Sequence, residues 1–116
     1  MDPHRAHRVA ETLREEIEEL VNYELDDPRI QSLSVIEVIV TQDMRQARVR
    51  LHLEGAPDQQ RQTLEAVEGA RSYLRRSLRQ RLQMYRIPDL HFEASVEIGA
   101  GPARLLRRIR KGRPRT

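Results

Sequence analysis

The segment Leu64–Arg86 carries the pattern of one amphipathic helix, yet a single straight helix there meets an electrostatic conflict. At about 100° per residue, Leu64, Val67, Leu74, Leu78, Leu82 and Tyr85 fall on one apolar arc. A straight helix would set Arg71 in the middle of that arc, where an unpaired guanidinium is too costly to bury. A bend at Gly69-Ala70-Arg71-Ser72 removes the conflict. Gly69 is the permissive residue, and Ser72 offers a side-chain cap for a second helix. Past the bend come Arg71, Arg75, Arg76, Arg79, Arg81 and Arg86, with no acid between Gly69 and Pro88. The expectation is two helices joined at a bend, the second strongly basic. Charge alone leaves open a kinked core helix with a solvated arginine face.

The rest of the chain supplies elements for this pair to cover. Met1 to His7 reads as a frayed lead-in, and Val9, Leu13, Ile17, Leu20 and Val21 trace a helical stripe with Glu11, Glu15, Glu18 and Glu19 opposite. That helix should end near Leu25, before Asp26-Asp27-Pro28. Leu33–Thr41 reads as a strand apolar on both faces and therefore well covered in a sheet. After a turn at Gln42–Arg45, Ala47, Val49, Leu51 and Leu53 alternate with Gln46, Arg48, Arg50 and His52, giving a strand with one wet face. Asp58 is a candidate N-cap for the next helix. Leu90, Phe92, Ala94, Val96 and Ile98 alternate in a third strand, and Gly99–Pro102 ends it. A short helix over Ala103–Arg110 and a basic, disordered tail over Lys111–Thr116 complete the chain. The order is α-β-β-α-kink-α-β with a three-stranded sheet, an α+β two-layer domain over residues 1–110. The strand order does not follow from the sequence.

Composition removes several function classes. There is no cysteine, hence no disulfide framework, cysteine metal site or thiol nucleophile among these 116 residues. No apolar run approaches the ~18 residues of a membrane span, and no signal peptide precedes the first helix, so a cytoplasmic protein without membrane contact is expected. Nucleophilic triads, Gly-rich phosphate loops and metal-ligand spacings are missing, and His4 and His7 lack further ligands nearby. The expectation is a protein that is not an enzyme and uses neither cofactor nor metal.

The charges are segregated. Residues 1–30 carry four Arg and nine acids, whereas residues 71–116 carry thirteen Arg or Lys and three acids, net +10. That asymmetry suits a polyanion. Arg71, Ser72, Arg75, Arg76 and Arg79 just past the bend place guanidiniums beside helix N-terminal amides, and both attract phosphate. Arg45, Arg48 and Arg50 form a second candidate surface. Stacking aromatics are few, which argues against a sheet that reads RNA through strand aromatics. Double-stranded DNA binding by a helix-turn-helix lacks the separate three-helix context.

At this point a family resemblance becomes specific. Its carriers are Arg8-Val9-Ala10 with Ile17 and Leu20, Glu24-Leu25-Asp26-Asp27-Pro28-Arg29, Val35-Ile36-Glu37-Val38 with Asp43, and Ala47-Arg48-Val49. Ala70-Arg71-Ser72-Tyr73-Leu74-Arg75 and Pro88-Asp89-Leu90-His91-Phe92 complete the set. Over about residues 5–110 the chain resembles the ribosome-binding factor A family. The resemblance implies a KH-type fold of the second kind, with an interrupted Ala-x-Gly kink replacing the Gly-x-x-Gly loop. Here the kink reads Ala70-Arg71-Ser72, with Ser where the family commonly has Gly. The resemblance further implies binding to small-subunit ribosomal RNA, a role in 5′-end processing of its precursor, and support of growth in the cold. A monomer is expected. The competing reading is a protein-interaction adaptor whose acidic first helix docks a ribosomal protein or an assembly GTPase.

Overall fold

The computed structural model describes residues 3–30 and 33–95. The end of the third strand at Val96 and Ile98, the break at Gly99–Pro102, the helix over 103–110, the tail and the boundary at 110 lie outside the described residues. The elements are α1 (Pro3–Tyr23), β1 (Leu33–Val40), β2 (Gln46–Leu53), α2 (Pro57–Gly69), α3 (Arg71–Leu82) and β3 (Asp89–Ala94). The strands form one sheet in the order β1-β2-β3, β1 antiparallel and β3 parallel to the central β2. A parallel neighbour cannot be reached by a tight turn, so α2 and α3 serve as the crossover and pass over the sheet. With α1 they cover one face. Among the described residues no element covers the other face of the sheet, its open face.

The core lies between the layers. Ala47, Val49 and Leu51 of β2 are fully buried, as are Leu13, Ile17 and Leu20 of α1, Val67 of α2, Leu74 and Leu78 of α3, and Leu90 of β3. Their alternation at period two on the strands and near 3.6 on the helices is the pattern the sequence displays. Phe92 also belongs to this core.

The break between the helices falls on one residue. Ala70, at φ −94° and ψ 7°, closes α2 and opens α3. Its N–H is shared between the carbonyls of Ala66 (3.2 Å) and Val67 (3.0 Å), a bifurcation common at helix ends. Arg71 thereby leaves the apolar arc: its side chain is 42% exposed and pairs with Glu68. Ser72 is exposed within the first turn of α3, which has no side-chain cap, so the expected Ser72 cap is corrected. Gly69 closes α2 without a positive φ, and a methyl group added there would meet nothing within 4 Å. Gly69→Ala should therefore raise stability by a few tenths of a kcal/mol, seen as a higher urea midpoint. A loss above about 1 kcal/mol would place the hinge at Gly69 rather than Ala70.

Four other expectations change in the folded chain. The first helix begins at Pro3 rather than after His7, because Ala6 can join the core and a proline is tolerated in a first turn. Ala56, not Asp58, is the N-cap of α2; its N–H donates to Gln59 Oε1 at 2.9 Å, and Asp58 pairs with Arg61. β1 is an edge strand, not a well-covered one. A bulge between Val35 and Glu37 shifts its alternation, which is why apolar residues fall at both parities and Ile39 stays 41% exposed. Tyr85 leaves the arc because α3 stops at Leu82, with Gln83 in the left-handed region at φ 52°.

Candidate nucleic-acid interface

The arginines of α3 divide by what they touch. Helical spacing sets Leu74 and Leu78 into the core, so Ser72, Arg76 and Arg79 fall on the outer side and are exposed. Arg76 and Arg79 have no acidic partner among the described residues. Arg75 is turned inward: its Nη2 donates to the Ile87 carbonyl at 3.2 Å and lies 3.3 Å from Asp89 Oδ1. It braces the loop between α3 and β3. Arg71 is engaged by Glu68.

The second candidate surface also divides. Arg45 closes the β1–β2 turn, where Asp43 accepts its N–H at 3.1 Å. Its carbonyl accepts the Asp89 N–H at 2.9 Å, so the turn adjoins the residue that holds Arg75. The structure thus joins Arg45 to Arg75 and to the stretch of α3 that carries Arg76 and Arg79, at one end of the sheet. Arg86, exposed in the loop three residues before Asp89, belongs to the same end. Arg48 and Arg50 do not. They stand on the open sheet face, Arg48 in a forked pair with Glu93 (3.0 and 3.3 Å) and Arg50 between Glu37 (3.0 Å) and Glu93 (3.5 Å). Glu37, Arg50 and Glu93 occupy one row of the three-strand register. Hydrogen bonding to Glu93 raises the pKa of Arg48 further above its ordinary value. Among the described residues Arg48 and Arg50 on this face are paired with acids, whereas Arg45, Arg76, Arg79 and Arg86 make no ion pair.

Arg86 is the member missing from the candidate residues read from sequence; its only signal there is its place in the acid-free run. Arg81 is different in kind. It is gripped by Glu16 (3.0 Å) and Glu19 (2.6 Å) and also by Glu24, which ties α3 to α1. Hydrogen bonds to Glu19 and Glu16 push its pKa up, so its charge is fixed.

Several acids of α1 also make contacts within the molecule. Glu18 Oε2 accepts the Val35 N–H at 2.9 Å, and Asn22 donates to the Leu33 carbonyl at 3.2 Å. Both contacts satisfy backbone groups on the outer edge of β1, Val35 at its bulge and Leu33 at its start, which would otherwise invite pairing. Glu11 and Glu15 flank the buried Arg14. Of the acids opposite the apolar stripe, Glu11, Glu15 and Glu19 are exposed, Glu19 while pairing with Arg81, and Glu18 is half-buried and taken up by an edge strand. Two guanidiniums among these carboxylates leave the outer side of α1 net acidic.

The loop after α1 docks beside the break. The Thr63 hydroxyl lies 2.9 Å from the Arg29 and Gln59 carbonyl oxygens, pinning the loop to α2. A cleft of about 250 Å³ remains between them, lined by Asp26, Asp27, Arg29, Gly69 and Ala70 among others. Asp27 accepts from the Arg29 side chain (3.1 and 2.8 Å) and from its backbone N–H (2.9 Å). These bonds, the side-chain ones foremost, lower the Asp27 pKa to about 2. A depressed carboxylate favours the folded loop above its unfolded pKa near 4, and that contribution fades as pH falls toward 2. An NMR titration of the Asp27 carboxyl should show a midpoint near 2, rising toward the ordinary value in Arg29→Ala.

Among the described residues no three His, Asp or Glu side chains converge as a metal site. His52 and His91 sit on the open sheet face, against Glu54 and Gln46.

The model of one protein family, Ribosome-binding factor A, matches residues 5–101. The chain belongs to the ribosome-binding factor A family. Ribosome-binding factor A of Solibacter usitatus is 39% identical, the match covering 99% of this chain and 95% of that one. The Thermomicrobium roseum relative is also 39% identical, over 99% of this chain and 91% of the relative. The crystal structure of ribosome-binding factor A from Thermus thermophilus superposes with a TM-score of 0.68 at 25% identity, covering 84% of this chain and 99% of that one. Another neighbour is the T. thermophilus factor as fitted into the electron cryo-microscopy map of a 30S complex, at TM-score 0.58 and 26% identity over 80% and 93% of the two chains. The α+β fold is the KH-like one of this family, and the bend at Ala70 falls where the resemblance expects the kink.

Proposed function

We propose that this protein is a non-catalytic assembly factor of the small ribosomal subunit that binds ribosomal RNA through the basic end of its sheet. Arg45, Arg76, Arg79 and Arg86 contact phosphate, and Ser72 with the first amides of α3 stands about two helical turns back from Arg79 as a separate, weaker contact. Arg71 and Arg75 contribute charge and hold the surface in shape, and Arg48 and Arg50 have a minor part. The observation that carries this reading is the separation of unpaired arginines from paired ones, in a chain whose T. thermophilus relative has been fitted into a complex with the 30S subunit.

The site offers charge and shape rather than a nucleophile or an activated base, so the work done is binding. Its biological setting is late maturation of the subunit in the cytoplasm, including 5′-end processing of the precursor RNA and growth in the cold. No helix among the described residues is long and apolar enough to cross a membrane. The test is co-sedimentation from cell extract. The protein should travel with free small subunits and be absent from assembled ribosomes. Equal partition between the two, or none with either, would overturn the reading.

A further inference from the structure

Two tyrosines are almost wholly exposed, Tyr23 at 82% and Tyr85 at 96%. They stand in opposite electrostatic settings. Tyr23 ends α1 and is followed by Glu24, Asp26 and Asp27. Tyr85 lies in the α3–β3 loop, between Arg79 in the last turn of α3 and Arg86, two residues before the Ile87 carbonyl that receives Arg75.

Tyr85 is also held where it is. Gln83 ends the helix in the left-handed conformation, its N–H bonded to the Arg79 carbonyl at 3.0 Å. Met84 on one side packs against the core, and Ile87 on the other is buried within it. The side chains flanking Tyr85 and Arg86 therefore anchor the loop, and the backbone between them must turn Tyr85 outward. An aromatic ring presented on an anchored loop loses little freedom when another ring stacks on it.

We propose that Tyr85 is a stacking platform for an unpaired nucleobase, so that the RNA taken by the basic end is single-stranded at this point rather than a continuous duplex. The inference rests on the reading of that end as an RNA surface. In a duplex both faces of an internal base are already stacked, and a protein ring meets sugars, phosphates and base edges but no open base face. In a loop, bulge or frayed end a base can swing out onto Tyr85 while its neighbouring phosphates meet Arg79 and Arg86. Stacking of this kind accepts any base and adds affinity without changing the number of phosphates neutralised.

The full-length chain, its Tyr85→Ala and Tyr85→Phe variants and the control Tyr23→Ala are titrated with an unstructured RNA of about ten nucleotides and with a duplex of the same length. Tyr85→Ala should weaken single-strand binding by roughly 5- to 100-fold with an unchanged salt slope, while Tyr85→Phe and Tyr23→Ala stay close to wild type. With both ends of the duplex closed by hairpin loops or clamps outside the footprint, duplex binding should move by less than about twofold, since its internal bases are already stacked on both faces. Because the chain has no Trp, tyrosine emission in a Tyr23→Phe, Tyr73→Phe background reports Tyr85 directly, and it should be quenched by the single strand. Equal effects on both RNAs, or no effect of Tyr85→Ala, overturn the inference while salt-dependent RNA binding by the wild type leaves the RNA surface standing. Failure of the wild type to bind either RNA overturns both.

Discussion

Replacing Arg76 and Arg79 together by Ala is expected to cut affinity for single-stranded RNA roughly tenfold to thirtyfold at about 0.1 M salt, at about 0.7 of a logarithmic unit per lost phosphate contact. The slope of log affinity against log salt should become shallower by about 1.4 for the pair. The fold should be untouched, because both side chains are exposed and neither has an acidic partner among the described residues. Arg75 is unsuitable for this test, since its contacts with Ile87 and Asp89 would mix stability with binding. Arg48→Ala with Arg50→Ala is the matched control. Those two charges already face Glu37 and Glu93, so the expected slope change is near zero. The reverse result, with a shallow slope only when Arg48 and Arg50 are removed, would move the RNA surface to the open sheet face.

Leu78→Ala should destabilise the protein by about 2–5 kcal/mol. Leu78 is fully buried on α3, in one core with Leu74, Val67, Leu90 and Ile17 from four elements. Truncation removes apolar contacts and leaves a cavity that helices pinned on both sides cannot close. One such pin is the Arg81 cluster with α1, and the other is the Arg75 brace to the β3 side. In a domain of this size the loss takes away a large part of the total stability. A urea titration should show a lower midpoint with an unchanged slope. A loss below about 1 kcal/mol would mean that α3 rests loosely on the sheet, and that the bend does not serve to swing Leu74 and Leu78 inward.

Much of this molecule is local in origin. Period-two alternation in β2 and β3 and the leucine stripe of α1 mark what each segment buries, because side-chain direction follows backbone geometry. The bend was legible for an electrostatic reason: a guanidinium inside an apolar arc has no low-energy place in a straight helix. Even so, the residue that bends was not legible. Gly69 has the freer backbone, yet the break falls on Ala70, whose φ and ψ any residue can adopt at a helix end.

What the sequence could not decide depends on pairing between distant segments. Strand order places β1 at an edge, and only there does a bulge explain its apolar residues on both faces and give Glu18 a backbone group to serve. The same holds for charge. Arg45 in the turn and Arg48 and Arg50 in the strand after it form one candidate surface when read in sequence, but the register sets Arg48 and Arg50 against Glu37 and Glu93, and the Asp89–Arg45 backbone bond carries Arg45 to the end where Arg76, Arg79 and Arg86 have no acidic partner among the described residues. By itself the sequence determined that this chain is an α+β domain with a bent, basic helix pair. Only the tertiary structure decided which arginines stay free, because a charge is neutralised by neighbours in space and not by neighbours in the chain.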